Sequence, residues 1–328
     1  MKLGEERQFK NVEKAEDIFA GDKDNRPVMV SIRCTVYNHG KYLRQTLDGF
    51  VNQKTNFKFE AIVHDDASTD NSADIILEYA NKYPEIIKPL LECKNQFSRG
   101  KGYVSKAINP MLRGKYIAIC EGDDYWTDPN KLQKQVDFME SHPDFTFCFH
   151  NAILHFENGS QPDKPFTNLE TREYSEKELI DDWKAPTAAF LFPSKILNSP
   201  IYQQVLASKK LIVGDNPLMR TCMHYGRAYA FAEPMSVYRI QPTGATQHLN
   251  DLDNVLKLME QEAEYMNIFG GYSIKRGKKY IGSMVANCII LLKNKRLKDS
   301  IRVLNFGLKK SPLQTLISLA KFPLRLMK

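Results

Sequence analysis

Short apolar runs alternate with amphipathic stretches along residues 28–150. Four runs rich in β-branched and other apolar residues predict buried strands: 28–37, 59–64, 86–91 and 115–120. Apolar residues recur at helical spacing over 42–53 and 73–83, and a shorter helix is predicted over 101–112. Strands that alternate with helices are typical of βαβ units, so we predict an α/β fold with a mostly parallel sheet flanked by helices.

The pattern changes towards both ends of the chain. The first 27 residues are polar and lack regular periodicity, whereas two long helices are predicted over 252–269 and 273–308. We therefore predict a flexible lead-in, an α/β domain with two halves, and a helical C-terminal extension: 1–27, 28–250 (halves 28–126 and 127–250) and 251–328.

Acidic residues directly follow two of the predicted strands. Asp65 and Asp66 come after strand 59–64, and the segment Glu121-Gly122-Asp123-Asp124 comes after strand 115–120. In open α/β sheets, ligands bind beyond the carboxyl ends of the strands. We expect both acidic turns to converge on one crevice at this edge.

The segment 121–124 suits a site for a metal-bound diphosphate. The charge of a departing diphosphate is commonly neutralised by Mg²⁺ or Mn²⁺, held by one or two carboxylates. Glu121 and Asp123 are separated by one glycine, so a tight turn can direct both carboxylates at one ion. Tyr125 and Trp126 follow at once, which argues against a merely solvated turn.

Two stretches resemble family-two glycosyltransferases of the GT-A (Rossmann-like) fold, of the type that builds bacterial cell-surface glycans. The metal-binding segment of that family resembles KYIAICEGDDYWTDPNKLQKQVDFME, with its E-x-D-D, aromatic residue, proline and K-L-x-x-Q. Its nucleotide-binding half resembles VSIRCTVYNHGKYLRQTLDGFVNQKTNFKFEAIVHDDASTDNSADII. The resemblance covers about residues 28–150 and extends more weakly to about 245.

This resemblance implies an inverting transferase that moves a sugar from a nucleotide-sugar donor to a hydroxyl group. Family habit points to a UDP-linked donor, and the implied acceptor is a glycan or a lipid-linked glycan. Three residues match the loop that contacts the base and ribose: Thr35, Tyr37 and Asn38. Asp66, with Asp65 beside it, matches the acid that binds the base. Arg99 matches a cation of a loop that reaches the nucleotide.

The implied metal site is less complete than in many relatives. Asp123 matches the acid that contacts the ribose and the metal-bound diphosphate, and either Asp123 or Asp124 is the metal ligand. Glu121 stands where an aspartate is commoner. Gln241 replaces the histidine of a Y-R-x-H motif, so His248 is the candidate third ligand. The neighbouring Arg239 is an alternative contact for the diphosphate.

The resemblance also implies a catalytic base on the acceptor side. Asp215, in the segment Gly214-Asp215-Asn216-Pro217, fits the short motif that precedes a helix in the family. It would take the proton of the acceptor hydroxyl as that oxygen attacks the anomeric carbon. Asp181 and Asp182 are competing candidates, and a helix-capping role for Asp215 is the structural alternative.

Composition and charge narrow the remaining choices. Hydrophobic residues make up 42% of the 328 residues, which is ordinary for a globular protein. No two of the six cysteines lie closer than 27 positions, which excludes a CxxC zinc or redox motif and favours a reducing compartment. The first 27 residues contain no apolar signal core, and no apolar run is long enough to span a bilayer. We therefore expect a cytoplasmic protein.

The net charge of +7 is concentrated near the C-terminus. Residues 293–328 contain ten lysines and arginines but only one acid, Asp299. Residues 311–328, which mix apolar and basic residues without an acid, can lie on an anionic membrane surface, and a packing or homo-oligomer helix is the alternative. No nucleic-acid partner is expected, because the basic residues are confined to the tail and are not interleaved with aromatic residues.

Two other functions are weighed against the transferase. A nucleotidyltransferase would carry a glycine-rich basic loop after the first strand, where this chain has Thr35-Val36-Tyr37-Asn38-His39-Gly40. A non-catalytic glycan-binding or scaffold protein on the same fold would be expected to lose the acids at 123, 124 or 215, and this chain keeps all three.

Overall fold

The computed structural model describes residues 18–19, 22–100, 102–211 and 214–241, and scattered residues between 257 and 316. The chain forms two compact units. The first comprises Met1–Glu176, Lys184–Ala207 and Asp215–Pro242, and the second comprises Lys177–Trp183, Ser208–Gly214 and Thr243–Lys328. The domain boundary predicted at residue 250 stays a prediction, since residues 242–256 lie outside the described residues.

The first part of the chain alternates strands and helices. Its elements are β1 (Val28–Val36), α1 (Leu43–Val51), β2 (Lys58–Asp65), α2 (Ser72–Lys82), β3 (Ile87–Leu91), α3 (Tyr103–Ile108) and β4 (Tyr116–Ile119). The helix predicted over 101–112 is shorter than expected. It passes into a 3₁₀ turn at Asn109–Met111, because Pro110 has no N–H with which to continue an α-helix.

The following part is richer in short strands. Its elements are β5 (Tyr125–Trp126), α4 (Lys131–Ser141), β6 (Phe145–Phe156), β7 (Lys164–Pro165), β8 (Arg172–Tyr174), α5 (Glu176–Asp181), β9 (Leu191–Pro193), α6 (Pro200–Ala207), α7 (Asp215–Tyr225) and β10 (Arg227–Ile240). In the second unit, α8 covers Leu297–Lys310. No helix among the described residues is long and apolar enough to cross a membrane.

One sheet of ten strands organises the first unit. The strand order is β3-β2-β1-β4-β9-β6-β10-β5, with β7 paired to β6 and β8 paired to β10. The longest pairings, β1 with β2 and β6 with β10, are parallel. Short β9 and β5 are antiparallel to their neighbours. The predicted α/β fold with flanking helices is therefore confirmed.

The core explains why these elements form. One face of β1 buries Ile32, Cys34 and Val36, and α1 packs against it with Leu47 and Phe50. All six cysteines are reduced thiols, and all except Cys93 are buried. The buried thiols of Cys34, Cys120 and Cys148 act as small apolar groups of the core.

The described part of the predicted lead-in contacts the start of the sheet. Ile18 is buried with Ile62, Leu90 and Ile108. The carboxylate of Asp22 pairs with buried Lys58 at 2.9 Å. This part of the lead-in is thus tied to the fold, whereas residues 1–17 lie outside the described residues.

Candidate active site

The two acidic turns lie at the same edge of the sheet. Strand β1 is parallel to both β2 and β4, so all three end on one side. Val36 at the end of β1 is in register with Asp65 at the end of β2. The turn after β4 also joins this edge, because the Gly122 N–H donates to the Thr35 carbonyl at 2.9 Å.

The loop after β1 is held in place by the turn after β2. Asn38 has a φ of +56°, and its Oδ1 atom accepts the Thr69 N–H at 2.8 Å. The Asn38 N–H donates to Ser68 Oγ at 2.9 Å, and the Gly40 N–H donates to Asp70 Oδ2 at 2.8 Å. Asn38 therefore shapes the loop, while the neighbouring Tyr37 side chain is left 48% exposed to a ligand.

Asp66 organises the loop that carries Arg99. Its Oδ1 atom accepts the Gln96 N–H at 2.5 Å, and its Oδ2 atom accepts the Phe97 N–H at 3.0 Å. Arg99 lies over the ring of Tyr103. Each oxygen of a carboxylate has a second lone pair, so a base contact by Asp66 stays a prediction compatible with this geometry.

Asp65 is buried at the end of β2. Its Oδ2 atom accepts the Ser68 N–H at 3.1 Å, and its Oδ1 atom has no hydrogen-bond partner among the described residues. Burial raises the pKa of this carboxyl above its usual value. Asp65 thus supports the turn that also holds Asn38.

Gly122 allows the acidic turn to pack closely on β1. A Cβ atom there would lie 2.9 Å from Nδ1 of His39, closer than side chains tolerate. Thr46 of α1 fixes the turn from the other side. Its hydroxyl oxygen lies 3.0 Å from the Gly122 carbonyl and 2.6 Å from the Asp124 carbonyl. The position of the acids is therefore set by both β1 and α1.

Asp123 and Asp124 occupy different surroundings. Asp124 is only 4% exposed, and its Oδ1 atom accepts the Arg239 N–H of β10 at 2.9 Å. Burial, with the nearby charge of Asp123, raises the pKa of Asp124 well above its usual value. The Asp123 side chain is 28% exposed, and its Oδ2 atom accepts the Gln241 amide at 2.9 Å. Of these two acids, Asp123 is the one whose side chain is partly exposed.

Arg239 stabilises this arrangement. Its guanidinium pairs with Glu157 at 2.9 Å and donates to the Asp123 carbonyl at 2.7 Å. The same group lies over the rings of Tyr42 and Tyr125. The sequence suggested that Arg239 contacts the diphosphate. In the structure, its guanidinium contacts Glu157, the Asp123 carbonyl and two tyrosine rings.

The charge of Asp215 acts on Glu121. Burial and then the charge of Asp123 raise the pKa of Glu121 to about 7, and Asp215 adds to the increase. Asp215 begins α7; its Oδ1 atom accepts the Asn216 N–H at 2.6 Å, and Oδ2 lies 3.5 Å from Thr187 Oγ1. Burial also raises the pKa of Asp215. Glu121 therefore lies close enough to both Asp123 and Asp215 for their charges to act on it.

The competing acids belong elsewhere in the chain. Asp181 ends α5, and both Asp181 and Asp182 belong to the second compact unit. His248, the candidate third ligand, lies outside the described residues.

The acids of this site fit a divalent cation that takes part of its ligands from a bound substrate. Among the residues that the structure describes, no three His, Cys, Asp or Glu side chains form a closed metal cage. Mg²⁺ at a phosphate site needs only one or two carboxylates, since phosphate oxygens and water complete its shell. Asp123 meets this need, whereas Asp124 is buried and engaged by Arg239.

Sequence reasoning missed two side chains at Asp123. Gln241, noted only as a departure from a histidine, reaches its carboxylate. Nε2 of His39 lies 3.9 Å from the same Oδ2 atom. The position of His39 directly after Tyr37-Asn38, in the loop that leaves β1, was the available signal.

An acidic turn after a central parallel strand, with the charge of Asp215 at the start of α7 acting on it, is typical of glycosyltransferases of the GT-A fold. The family described as glycosyl transferase family 2 matches residues 31–199. The chain belongs to this family, and the resemblance predicted from its motifs is confirmed.

Relatives match this chain over part of their length. An uncharacterized protein of Mycobacterium tuberculosis is 45% identical over 143 residues, which cover 44% of this chain and 40% of that protein. An uncharacterized glycosyltransferase of Methanocaldococcus jannaschii is 31% identical over 56% of this chain and 60% of its own length. The glucosyltransferase WfaP of Escherichia coli, named for UDP-Glc and α-D-GlcNAc-diphosphoundecaprenol, is 32% identical over 38% of this chain and 47% of its own.

Solved structures share the fold. TarS of S. aureus, in complex with UDP-GlcNAc, superposes with a TM-score of 0.61 at 15% identity, covering 85% of this chain and 79% of that one. The mannosyltransferase PcManGT of Pyrobaculum calidifontis, in complex with GDP-Man and Mn²⁺, gives a TM-score of 0.53 at 14% identity, covering 96% and 87%.

Proposed function

We propose that this protein is an inverting glycosyltransferase that moves a sugar from a UDP-linked donor to a hydroxyl of a glycan or lipid-linked acceptor. The observation that carries the proposal is the proximity of Glu121 to both Asp123 and Asp215, whose charges add to the raised pKa of Glu121. The name of the relative WfaP, with its UDP-Glc donor and diphosphoundecaprenol acceptor, supports the choice of substrates.

Asp215 is the proposed general base. Burial raises the pKa of its carboxyl, which makes it a stronger base than an exposed aspartate. The Asn216 N–H orients one oxygen. The carboxylate removes the proton of the acceptor hydroxyl while that oxygen attacks the anomeric carbon. Attack opposite to the departing nucleotide inverts the configuration in a single displacement.

Asp123 is the proposed holder of Mn²⁺ or Mg²⁺, with Glu121 next to it. When bound, the cation neutralises the charge that develops on the diphosphate. On the donor side, exposed Tyr37 is proposed to contact the base, together with Asp66 and Arg99. Thr35 fixes the acidic turn through its carbonyl and is proposed to line the ribose.

Helix α8 of the second unit is proposed to contact the inner face of the cell membrane. Leu297 is 58% exposed and Ile301 is 49% exposed, and they lie one turn apart on α8. Exposed Lys298 and Arg302 neighbour them, although Arg302 also pairs with Glu260. Apolar residues flanked by cations suit the surface of an anionic bilayer.

Vesicle sedimentation tests the membrane contact. The full chain should pellet with phosphatidylglycerol vesicles but not with phosphatidylcholine vesicles, and a variant with Leu297→Ser and Ile301→Ser should pellet less. Equal sedimentation of wild type and variant would argue against α8 as the contact. A change of the variant's mass in solution would instead identify this face as a homo-oligomer interface.

Thermal unfolding with nucleotides tests the donor and the metal together. UDP and UDP-sugars with Mn²⁺ should stabilise the protein by about 2.7 kcal/mol at one hundred times the Kd, and EDTA should remove most of that gain. Asp123→Asn should lose the Mn²⁺-dependent part, whereas Asp163→Asn, an exposed acid paired with His155, should keep it. Stabilisation by other nucleotides alone would overturn the choice of donor, and stabilisation unaffected by EDTA would overturn the metal.

A further inference from the structure

We propose that His39 is a further ligand of the divalent cation that Asp123 holds. This inference rests on the proposed metal site. Nε2 of His39 lies 3.9 Å from Oδ2 of Asp123, and Gln241 contacts that same oxygen from β10. Imidazole nitrogen is the commonest side-chain metal ligand in proteins. Among the described residues predicted from the sequence as metal ligands, none is a histidine, and His248 lies outside the described residues.

The distance suits two ligands of one ion. Each bond from a small divalent cation to its ligand is about 2.1 Å, so neighbouring ligands lie about 3 Å apart and opposite ligands about 4.2 Å apart. The observed 3.9 Å lies between these values. It is too long for a proton shared directly between the imidazole and the carboxylate.

The histidine ring is held in place before any ligand arrives. The backbone N–H of His39 donates to Ser72 Oγ at 3.0 Å, at the start of α2. Close packing of the ring against Gly122 fixes its other side, since no Cβ fits between them. The neighbouring Gly40 N–H is anchored by Asp70. Little side-chain entropy would be lost on binding, so the ring is preorganised for a ligand.

The hydrogen bonding of the ring leaves a place for a cation. Nδ1 of His39 is buried and has no hydrogen-bond partner among the described residues. In the neutral tautomer with its proton on Nδ1, the lone pair on Nε2 faces the carboxylate of Asp123. Two electron-rich atoms that face each other are stabilised by a positive ion between them. The imidazole would thus supply the nitrogen ligand that Gln241 does not.

Mn²⁺ binding to the full chain tests the proposal without any turnover. Free Mn²⁺ is measured by electron paramagnetic resonance in the wild type, His39→Ala, His39→Phe and Asp123→Asn. Loss of a group one step beyond the ligands commonly costs 10- to 100-fold in affinity, so both His39 variants should raise the Kd at least about 10-fold. His39→Phe keeps a ring against Gly122 but has no nitrogen. The exposed His142, changed to glutamine, is the matched control and should bind as the wild type does.

The outcomes separate this inference from the site on which it rests. If Asp123→Asn loses Mn²⁺ while both His39 variants bind it normally, His39 is not a ligand and the proposed metal site stands. If His39→Phe binds normally and only His39→Ala is weakened, the ring acts by packing, and the inference is overturned. If Asp123→Asn also binds Mn²⁺ as the wild type does, the proposed metal site itself is wrong.

Discussion

Asp123 and Asp124 are adjacent in the chain, yet the fold gives them separate tasks. Asp124 accepts the N–H of Arg239, so its carboxylate joins the acidic turn to β10. Asp123 keeps one oxygen within reach of both Gln241 and His39. The same turn therefore contains one acid that holds the structure and one that faces the crevice. This division supports Asp123 as the proposed metal ligand.

Glu121 should make the stability of the metal-free protein depend on pH. Its folded pKa is raised to about 7, chiefly by burial, whereas an unfolded glutamate titrates near 4.5. Between pH 4.5 and about 7, the unfolded chain has lost the Glu121 proton that the folded protein still keeps. The free energy of unfolding should therefore fall as the pH rises. The shift corresponds to about 3 kcal/mol.

Glu121→Gln measures that contribution. Urea unfolding in EDTA should show the variant gaining stability over the wild type between about pH 4.5 and 7, with the difference constant above that range. A difference that does not change with pH would mean that Glu121 is not buried among like charges.

At the scale of elements, most strands and helices of residues 28–150 could be predicted, because periodicity reports burial directly. The sequence pattern over 228–238 predicts a strand, a turn and a second strand, whereas β10 is continuous from Arg227 to Ile240. Its pairing with β6 shifts register on both sides of Pro234. Proline has no N–H for the ladder, so a bulge within one strand resembles a turn in the sequence.

The contacts that define the site could not be predicted from the sequence, because they join residues that are far apart in the chain. Arg239 meets Asp124 across 115 residues, and Gln241 meets Asp123 across 118. No local pattern encodes such pairs. Motif resemblance supplied the residues on each side, but exposure, which distinguishes Asp123 from Asp124, arises only when the strands assemble.

Trp126 of β5 should couple the acidic turn to the base. Its Nε1–H donates to the Ala188 carbonyl at 2.8 Å, in the 3₁₀ turn Thr187–Ala189 that also brings Thr187 to Asp215. Trp126→Phe leaves that buried carbonyl unpaired, so we expect a loss of about 1–3 kcal/mol in urea unfolding. Turnover should fall more than donor KM rises. Unchanged stability together with unchanged kcat would contradict the coupling.

For the whole molecule, a buried charge cluster joins the lead-in to the start of the sheet, away from the carboxyl edge. Asp22 contacts Lys58 at 2.9 Å, Arg113 at 2.8 Å and Lys88 at 3.6 Å. Burial alone would raise the pKa of Asp22, but hydrogen bonds from Arg113 and Lys58 and the charge of Lys88 lower it overall. Its contribution to stability is therefore present above about pH 4 and is lost as the pH falls below that value.

Asp22→Ala should destabilise the fold by about 3–5 kcal/mol, because it leaves buried lysines without their partner. Chemical unfolding at pH 7 measures the loss. Asp24→Ala, whose partner Arg26 is exposed, is the matched control and should change stability much less. Equal effects of the two variants would show that the cluster does not stabilise the fold.

The central claim is that Asp215 serves as the base of a glycosyl transfer from a metal-bound nucleotide sugar. The most direct measurement is the release of UDP from UDP-sugars with Mn²⁺ and a glycan or lipid-linked acceptor, comparing the wild type with Asp215→Asn. Asparagine keeps the size of the side chain but cannot take a proton, so we predict that kcat falls at least about 100-fold while the donor still binds. Wild-type turnover by Asp215→Asn would contradict the account.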